Sequence, residues 1–457
     1  MTFQTNFPLY PTKLPHITLS SKGMSNGLSD IPNDGYDFGP DTLLGTNLKG
    51  IYGPPYTQTS GIQEAMNWAF SHALTYSQYA GNFYPIMPEI RLTDGQYNIY
   101  TDIYLPLDDS TSTIPTFSLI GNAYGLLNGG SLINLNNHNI YFGKNGYNQV
   151  GYGGFKIQGI NFYGLTPGLN SLTFAGGFAN NLDCILRDIG LYQVGLDMSN
   201  VTYLAQLDLD NLQIFLAQIY LGQMYQMSAT NLTCKSGLYI NGVNQIGVVN
   251  MAEGIIIQSG NPSISFNVWE IDSGAKIYGI QNATASGTTS TLNIDIGTLV
   301  INQSNNFFTT ASSAGTLNIK MHVKHLIFLT AVNNFTVPSG INLQEFTVDE
   351  ITNLTSTATA SANLPILSSA SGTTSGTVNM RFTEYAPSHK KMIITFSGYE
   401  NDTTTNQTIN YPLPFNTSAI ITGNNTGLTV STTTSGITIT APNSTTTYSG
   451  IVIVEGY

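Results

Sequence analysis

Gly159-Ile160-Asn161-Phe162 returns as Asp188-Ile189-Gly190-Leu191, then as Asn211-Leu212-Gln213-Ile214 and Asn231-Leu232-Thr233-Cys234. Taking Ile160, Ile189, Leu212 and Leu232 as equivalent, the steps are 29, 23 and 20 residues. Each phrase sets a Gly, Asp or Asn ahead of a short apolar strand. Self-similarity at a period of about 20 to 50 residues marks a solenoid, whose coils bury their apolar faces only by stacking on one another. Val323-Lys324-His325-Leu326-Ile327 and Val348-Asp349-Glu350-Ile351 continue the series less regularly.

Toward the N-terminus, Glu89 to Ile99, Ile103-Tyr104-Leu105, Phe117 to Gly121 and Ser131 to Leu135 are short strands broken by Gly, Asp and Asn turns. Before them, residues 60–76 read as a helix: Ser60 and Gln63 make an S-x-x-Q capping box, and Ile62, Ala65, Met66, Ala69, Phe70, Ala73 and Leu74 recur at helical spacing. That apolar face must cover something hydrophobic. Residues 1–30, rich in Pro, Ser and Gly, read as an extended arm.

A helix, a strand ending in G-x-Y-x-I, an I-x-L strand, an L-I-G turn and a further strand resemble the opening of pectate-lyase-like right-handed parallel β-helices, including those of viral tailspikes. The resemblance spans residues 34–135. It implies an all-β fold, a right-handed parallel β-helix over 31–354 with the helix as cap, but no activity, since such folds host lyases, hydrolases and adhesins.

Residues 355–378 contain no charge and few large side chains, the composition of a linker or a last coil. Beyond a boundary near Asn379, strands at 391–396, 407–411, 418–421, 427–431, 436–439 and 450–454 have sandwich-like spacing. With Pro414-Phe415, this segment resembles the β-sandwich tips of viral fibres. The low charge, the Asn/Thr/Tyr bias and the layout also resemble structural proteins of archaeal spindle-shaped viruses.

Charged residues make up 9% of the 457 residues, and the net charge is −12, against about 25% charged in an ordinary soluble domain. A surface of hydroxyl, amide and aromatic groups suits neutral polymers such as glycans. It lacks the basic footprint that nucleic acid or an anionic membrane requires. No run reaches the roughly 18 apolar residues of a membrane span, and the first residues lack the apolar core of a signal peptide. Cys184 and Cys234 occupy different places in their coils and read as buried thiols rather than a disulfide.

Eleven N-x-S/T sequons stand at Asn200, Asn231, Asn282, Asn302, Asn334, Asn353, Asn401, Asn406, Asn416, Asn424 and Asn443, none before residue 200. Composition alone gives about six or seven by chance in that region. An external glycoprotein without a signal peptide can leave the cell as part of a virion.

Glycan cleavage requires facing carboxylates, or a base beside a uronate. The candidate acids are Asp183, Asp188, Asp208, Asp210, Glu253, Glu270 and Asp272. Asp208 and Asp210 alternate along one strand and share a face. Asp188 and Asp210, however, sit where Asp commonly satisfies turn amides. The paired Asp-Asp and Gly-His-Gly motifs of polygalacturonases are missing, and Arg187 beside Asp188 is the only lyase-like hint. His322 and His325 stand three apart in a strand, which puts them on opposite faces, so no metal or other cofactor is expected. Trp269 and the tyrosines are candidates for stacking on sugar rings.

These readings converge on a virion tailspike or fibre subunit that attaches to host-surface glycan or glycoprotein. The resemblance implies a homotrimer, with the arm joined to other virion tail proteins and residues 379–457 as the distal tip. The rival is an extracellular polysaccharide lyase or glycoside hydrolase.

Overall fold

The computed structural model describes residues 16–19, 38, 57–78, 82–123, 129–150, 154–272, 277, 279–302, 306–329, 337–353, 374–386, 389–401, 407–410, 415, 418–440 and 448–456. Among these, one helix stands against thirty strands. The chain forms two compact units, Met1–Val194 and Gly195–Tyr457. Parallel ladders dominate both, consistent with a β-helix solenoid.

In the first unit, coils run through three parallel lanes. One lane joins His16–Leu19, Glu89–Leu92, Phe117–Ile120 and the start of Phe155–Tyr163. A second joins Gly95–Asn98, Ser131–Asn134 and the end of Phe155–Tyr163, and a third joins Ile103–Tyr104, Ile140–Val150 and Ser171–Tyr192. Inward side chains stack in columns. Ile17, Ile90, Leu119, Ile157 and Leu186 make one, and Tyr97, Ile133, Phe162 and Leu191 another, all fully buried. Phe117, Phe142, Phe155 and Phe174 fill the space between lanes, with Phe142 and Phe174 stacked at 4.7 Å. His16–Leu19 lies within the segment read as an extended arm, and these four residues are held in a parallel ladder, because Ile17 and Leu19 are interior residues.

The repeated phrase marks a corner. Ile160 pairs with Ile189, and the residues ahead of them, Gly159 and Asp188, are left-handed, with φ of 65° and 53°. Asn211 repeats this at 56°. Gly, Asp and Asn tolerate that conformation best, which is why they lead these three phrases; Asn231, at the head of the fourth, is not left-handed. At Gly159 a Cβ would also lie 2.5 Å from the Gly121 carbonyl oxygen.

The helix is shorter than expected, Ile62–Ser71, and Leu74 opens the strand Leu74–Gln78. Its capping box does not form. Ser60 Oγ donates to the Asn98 carbonyl (2.7 Å), so Thr59 Oγ1 accepts from the Gln63 N–H (3.2 Å) instead. The Gln63 side-chain amide bonds both the N–H and the C=O of Tyr104, at 2.7 and 2.8 Å. A side chain thus occupies the place of a neighbouring strand at an open edge.

In the second unit, Leu207, Met227, Ile246, Ile264, Ile294, Met321 and Phe346 form one buried column, with steps of 20, 19, 18, 30, 27 and 25 residues. Leu212, Leu232, Met251, Trp269, Leu299 and Leu326 form a second, continued in register by Ile351. The expected equivalences Ile160 to Ile189 and Leu212 to Leu232 are therefore real register partners. So is the later alignment of Leu326 with Ile351.

The C-terminal strands are antiparallel. Thr374–Ala386, His389–Asn401, Tyr448–Gly456 and Ala419–Asn424 form one sheet, and Gln407–Asn410, Gly436–Ile439 and Val430–Thr432 another. The first strand begins five residues ahead of the boundary drawn from composition. Met392 and Ile394 pair with Val454 and Val452, and all four are buried. Ile437, Ile439 and Phe415 are buried as well. Among the described residues no helix is long and apolar enough to cross a membrane.

Candidate functional site

On the outer side of the second lane of the first unit lies a groove of about 360 Å³. Leu132, Asn161 and Phe162 line it, with Tyr163 and Tyr192 beside them. Gly95, Gln96, Gly129 and Gly130 complete it. Gly129 and Gly130 turn the chain with φ of 74° and 79°, and a Cβ on Gly130 would lie 2.6 Å from the Asn122 carbonyl oxygen. Buried Ser131 fixes the same turn by hydrogen bonding the carbonyls of Leu92 (3.3 Å) and Thr93 (3.1 Å).

Two features set this groove apart. Tyr163 and Tyr192 are register partners on successive coils, their rings stacked at 5.2 Å and nearly parallel. Asn161 is only 4% exposed, and its Oδ1 is buried with no hydrogen-bond partner. Its register neighbours are Leu132 and Gly190, so the position does not call for an amide on packing grounds.

Register-paired tyrosines recur elsewhere on the coils, one pair stacked and one tilted. Tyr104 pairs with Tyr141 at 4.8 Å, and Tyr220 with Tyr239 at 4.4 Å. Partial burial raises the Tyr220 phenol above its ordinary value, helped by its Tyr239 neighbour. Each pair presents aromatic surface among amides and hydroxyls.

The expected acids do not converge. Asp208 and Asp210 do share an outward face, but each is engaged by the next coil: Asp208 accepts from Ser228 Oγ and Asp210 from Thr230 Oγ1. Asp208 also accepts from Gln206 Nε2 at 2.9 Å. Asp188 is the left-handed corner residue described above, and the Asp183 side chain lies outside the described residues. Glu270 is exposed, and Asp272 accepts from Asn302 Nδ2 at 3.3 Å.

Glu253 differs from all of these. The register Thr233, Ala252, Glu270 places it beside buried Cys234 and Ile271, in an interior position at 1% exposure. Its Oε2 has no partner, and its backbone is left-handed at φ 89°. Burial, reinforced by Asp272 and Glu270 and opposed by Lys235, pushes its carboxyl up to about 7. Burial likewise pushes the Cys234 thiol up to about 12, and both cysteines are free.

Trp269 is not available for sugar stacking. It is fully buried against Phe266 and Phe307, with Nε1 donating to the Glu253 carbonyl at 2.7 Å. The Asn282 sequon is also interior: Nδ2 donates to the carbonyls of Gly315 and Gly340, and Oδ1 accepts from Thr284. Asn424 builds a similar turn with Thr426, its Nδ2 donating to the Leu428 carbonyl. In both, the sequon threonine serves the turn. Asn200 and Asn231 are exposed and Asn302 half-buried, while the side chains of Asn334, Asn353, Asn401, Asn406, Asn416 and Asn443 lie outside the described residues. His322 pairs with Asp295 at 2.9 Å on the adjacent coil. Among the described residues no group of three His, Cys, Asp or Glu is placed to hold a metal ion.

No family model, curated protein or solved structure matches the chain. Of the groove residues, Tyr163 and Tyr192 are singled out by the sequence only as members of the tyrosine set, and Asn161 only as part of a repeated phrase. Their signal was there, since a tyrosine follows both Gly159-Ile-Asn-Phe and Asp188-Ile-Gly-Leu at the same 29-residue step.

Proposed function

We propose that this chain is an attachment subunit of the tailspike or fibre kind, binding glycan or glycoprotein on a host surface. The observation that carries the reading is the set of register-paired tyrosines on an exterior poor in charge, one pair walling a groove. Sugar rings present apolar C–H faces edged by hydroxyls, and aromatic faces set among amides complement them.

In this reading the parallel coils form a right-handed shaft, the hand that parallel crossovers take in about 98% of cases. The two antiparallel C-terminal sheets pack as a sandwich tip, and three copies assemble on a virion exterior. Attachment to other tail proteins falls to residues 1–15, ahead of the first strand. The rival, a polysaccharide lyase or hydrolase, has Glu253 as the one carboxyl raised above its ordinary value among the described residues, and that carboxyl sits in the interior.

Light scattering on the full chain, followed by binding to an immobilised panel of neutral glycans, tests the proposal. A trimer that binds glycan without releasing reducing or unsaturated ends supports it. A monomer that releases such ends overturns it in favour of the enzyme.

A further inference from the structure

We infer that the groove of the first unit is a subsite for an N-acetylated sugar, whose acetamido N–H donates to Asn161 Oδ1. The inference rests on the attachment reading and names its site.

A buried acceptor left without a donor costs about 1–3 kcal/mol. The same register position is Leu on one neighbouring coil and Gly on the other, so an apolar residue fits the ladder there. The amide is therefore retained at a cost to the fold, in a wall of a groove large enough for a small ligand. The missing partner is a single donor.

Leu132 and the two tyrosine rings make the remaining surface largely apolar. A bare hexose brings hydroxyls around its whole edge, and most would face carbon here. An acetamido group brings one N–H for Oδ1 and a methyl for Leu132, leaving the ring to lie against Tyr163 and Tyr192. The groove lining carries no Asp, Glu, Lys, Arg or His, which suits a neutral ligand.

Titration calorimetry of the full chain with N,N′-diacetylchitobiose and with cellobiose, which lacks only the acetamido groups, tests this. The expected result is binding of diacetylchitobiose at least tenfold tighter than cellobiose. Asn161→Leu should abolish that preference while leaving the melting temperature unchanged or raised, because an unpaired buried oxygen is removed. Tyr192→Ala, at a half-exposed position, should weaken binding of the acetylated sugar at least fivefold and serves if the Asn161 variant does not fold. Equal affinity for the two disaccharides overturns the acetamido assignment. Preferential binding that survives both substitutions overturns the groove but leaves the attachment reading standing. No binding of these sugars or of any glycan on the panel overturns both.

Discussion

Asn161 in the first unit and Glu253 in the second each hold a buried oxygen with no partner, but they face opposite ways. Asn161 is on the outer side of its coil and lines a groove. Glu253 follows Ala252 into the interior, beside Cys234 and Ile271. An outward unpaired group can be satisfied by a ligand. An inward one can be relieved only by a proton. The coil lengths match this division. Along the groove lane, from Tyr97 through Ile133 and Phe162 to Leu191, steps of 36, 29 and 29 residues leave chain for turns that wall a groove. Around Glu253, steps of 19 and 18 residues leave little beyond the strands and corners.

Emptying either core should produce the largest effects. Phe142→Ala in the first unit and Trp269→Ala in the second each remove a fully buried ring, at a cost of about 3–5 kcal/mol in urea denaturation. If one of them costs less than about 1 kcal/mol, that column is not a packed interior.

Glu253→Gln sharpens the contrast between the two unpaired groups. Its ordinary value of 4.5 rises to about 7 in the fold, so between those pH values the folded state holds a proton that the unfolded state has released. Stability is greatest below pH 4.5, falls as pH rises toward 7, and then levels off. The glutamine variant should therefore be more stable than wild type by roughly 3 kcal/mol at pH 8 and equal to it at pH 4. A pH-independent difference in thermal unfolding would show that Glu253 is paired.

Gln63→Ala strips both hydrogen bonds from the Tyr104 backbone. Because that edge is exposed, a loss of about 1 kcal/mol is expected, with faster hydrogen exchange at the Tyr104 amide. The smallest effect belongs to Asp208→Asn on the outer face. Exposed polar contacts are worth about 0–1 kcal/mol, so thermal unfolding should shift little, and any glycan binding should be retained. A collapse of binding would return Asp208 to the list of catalytic or binding acids.

Much of the fold was legible because a solenoid writes its period into the chain. The corner needs a residue tolerant of positive φ and the next position must be apolar, so Gly159-Ile160, Asp188-Ile189 and Asn211-Leu212 announce themselves. The columns lost their signature where Met251 and Trp269 replaced the aliphatic residue. Asn250 still stands ahead of Met251, but Val268 stands ahead of Trp269 and breaks the repeated phrase there. The capping box failed because the Ser60 hydroxyl turns to the Asn98 carbonyl, visible only once the first coil lay against it.

Sequence by itself determined that the chain is built from parallel coils ending in antiparallel strands, since apolar periodicity and turn chemistry are local properties. Which polar side chains face in, face out or go unpaired was decided by tertiary structure alone. Trp269, Asn282 and Glu253 read as surface candidates and are interior, whereas Asn161 read as one letter of a repeat and lines the groove. Facing depends on the corner just passed, and satisfaction depends on residues about 20 to 40 positions away on the next coil, a distance at which sequence alone leaves the partner unspecified.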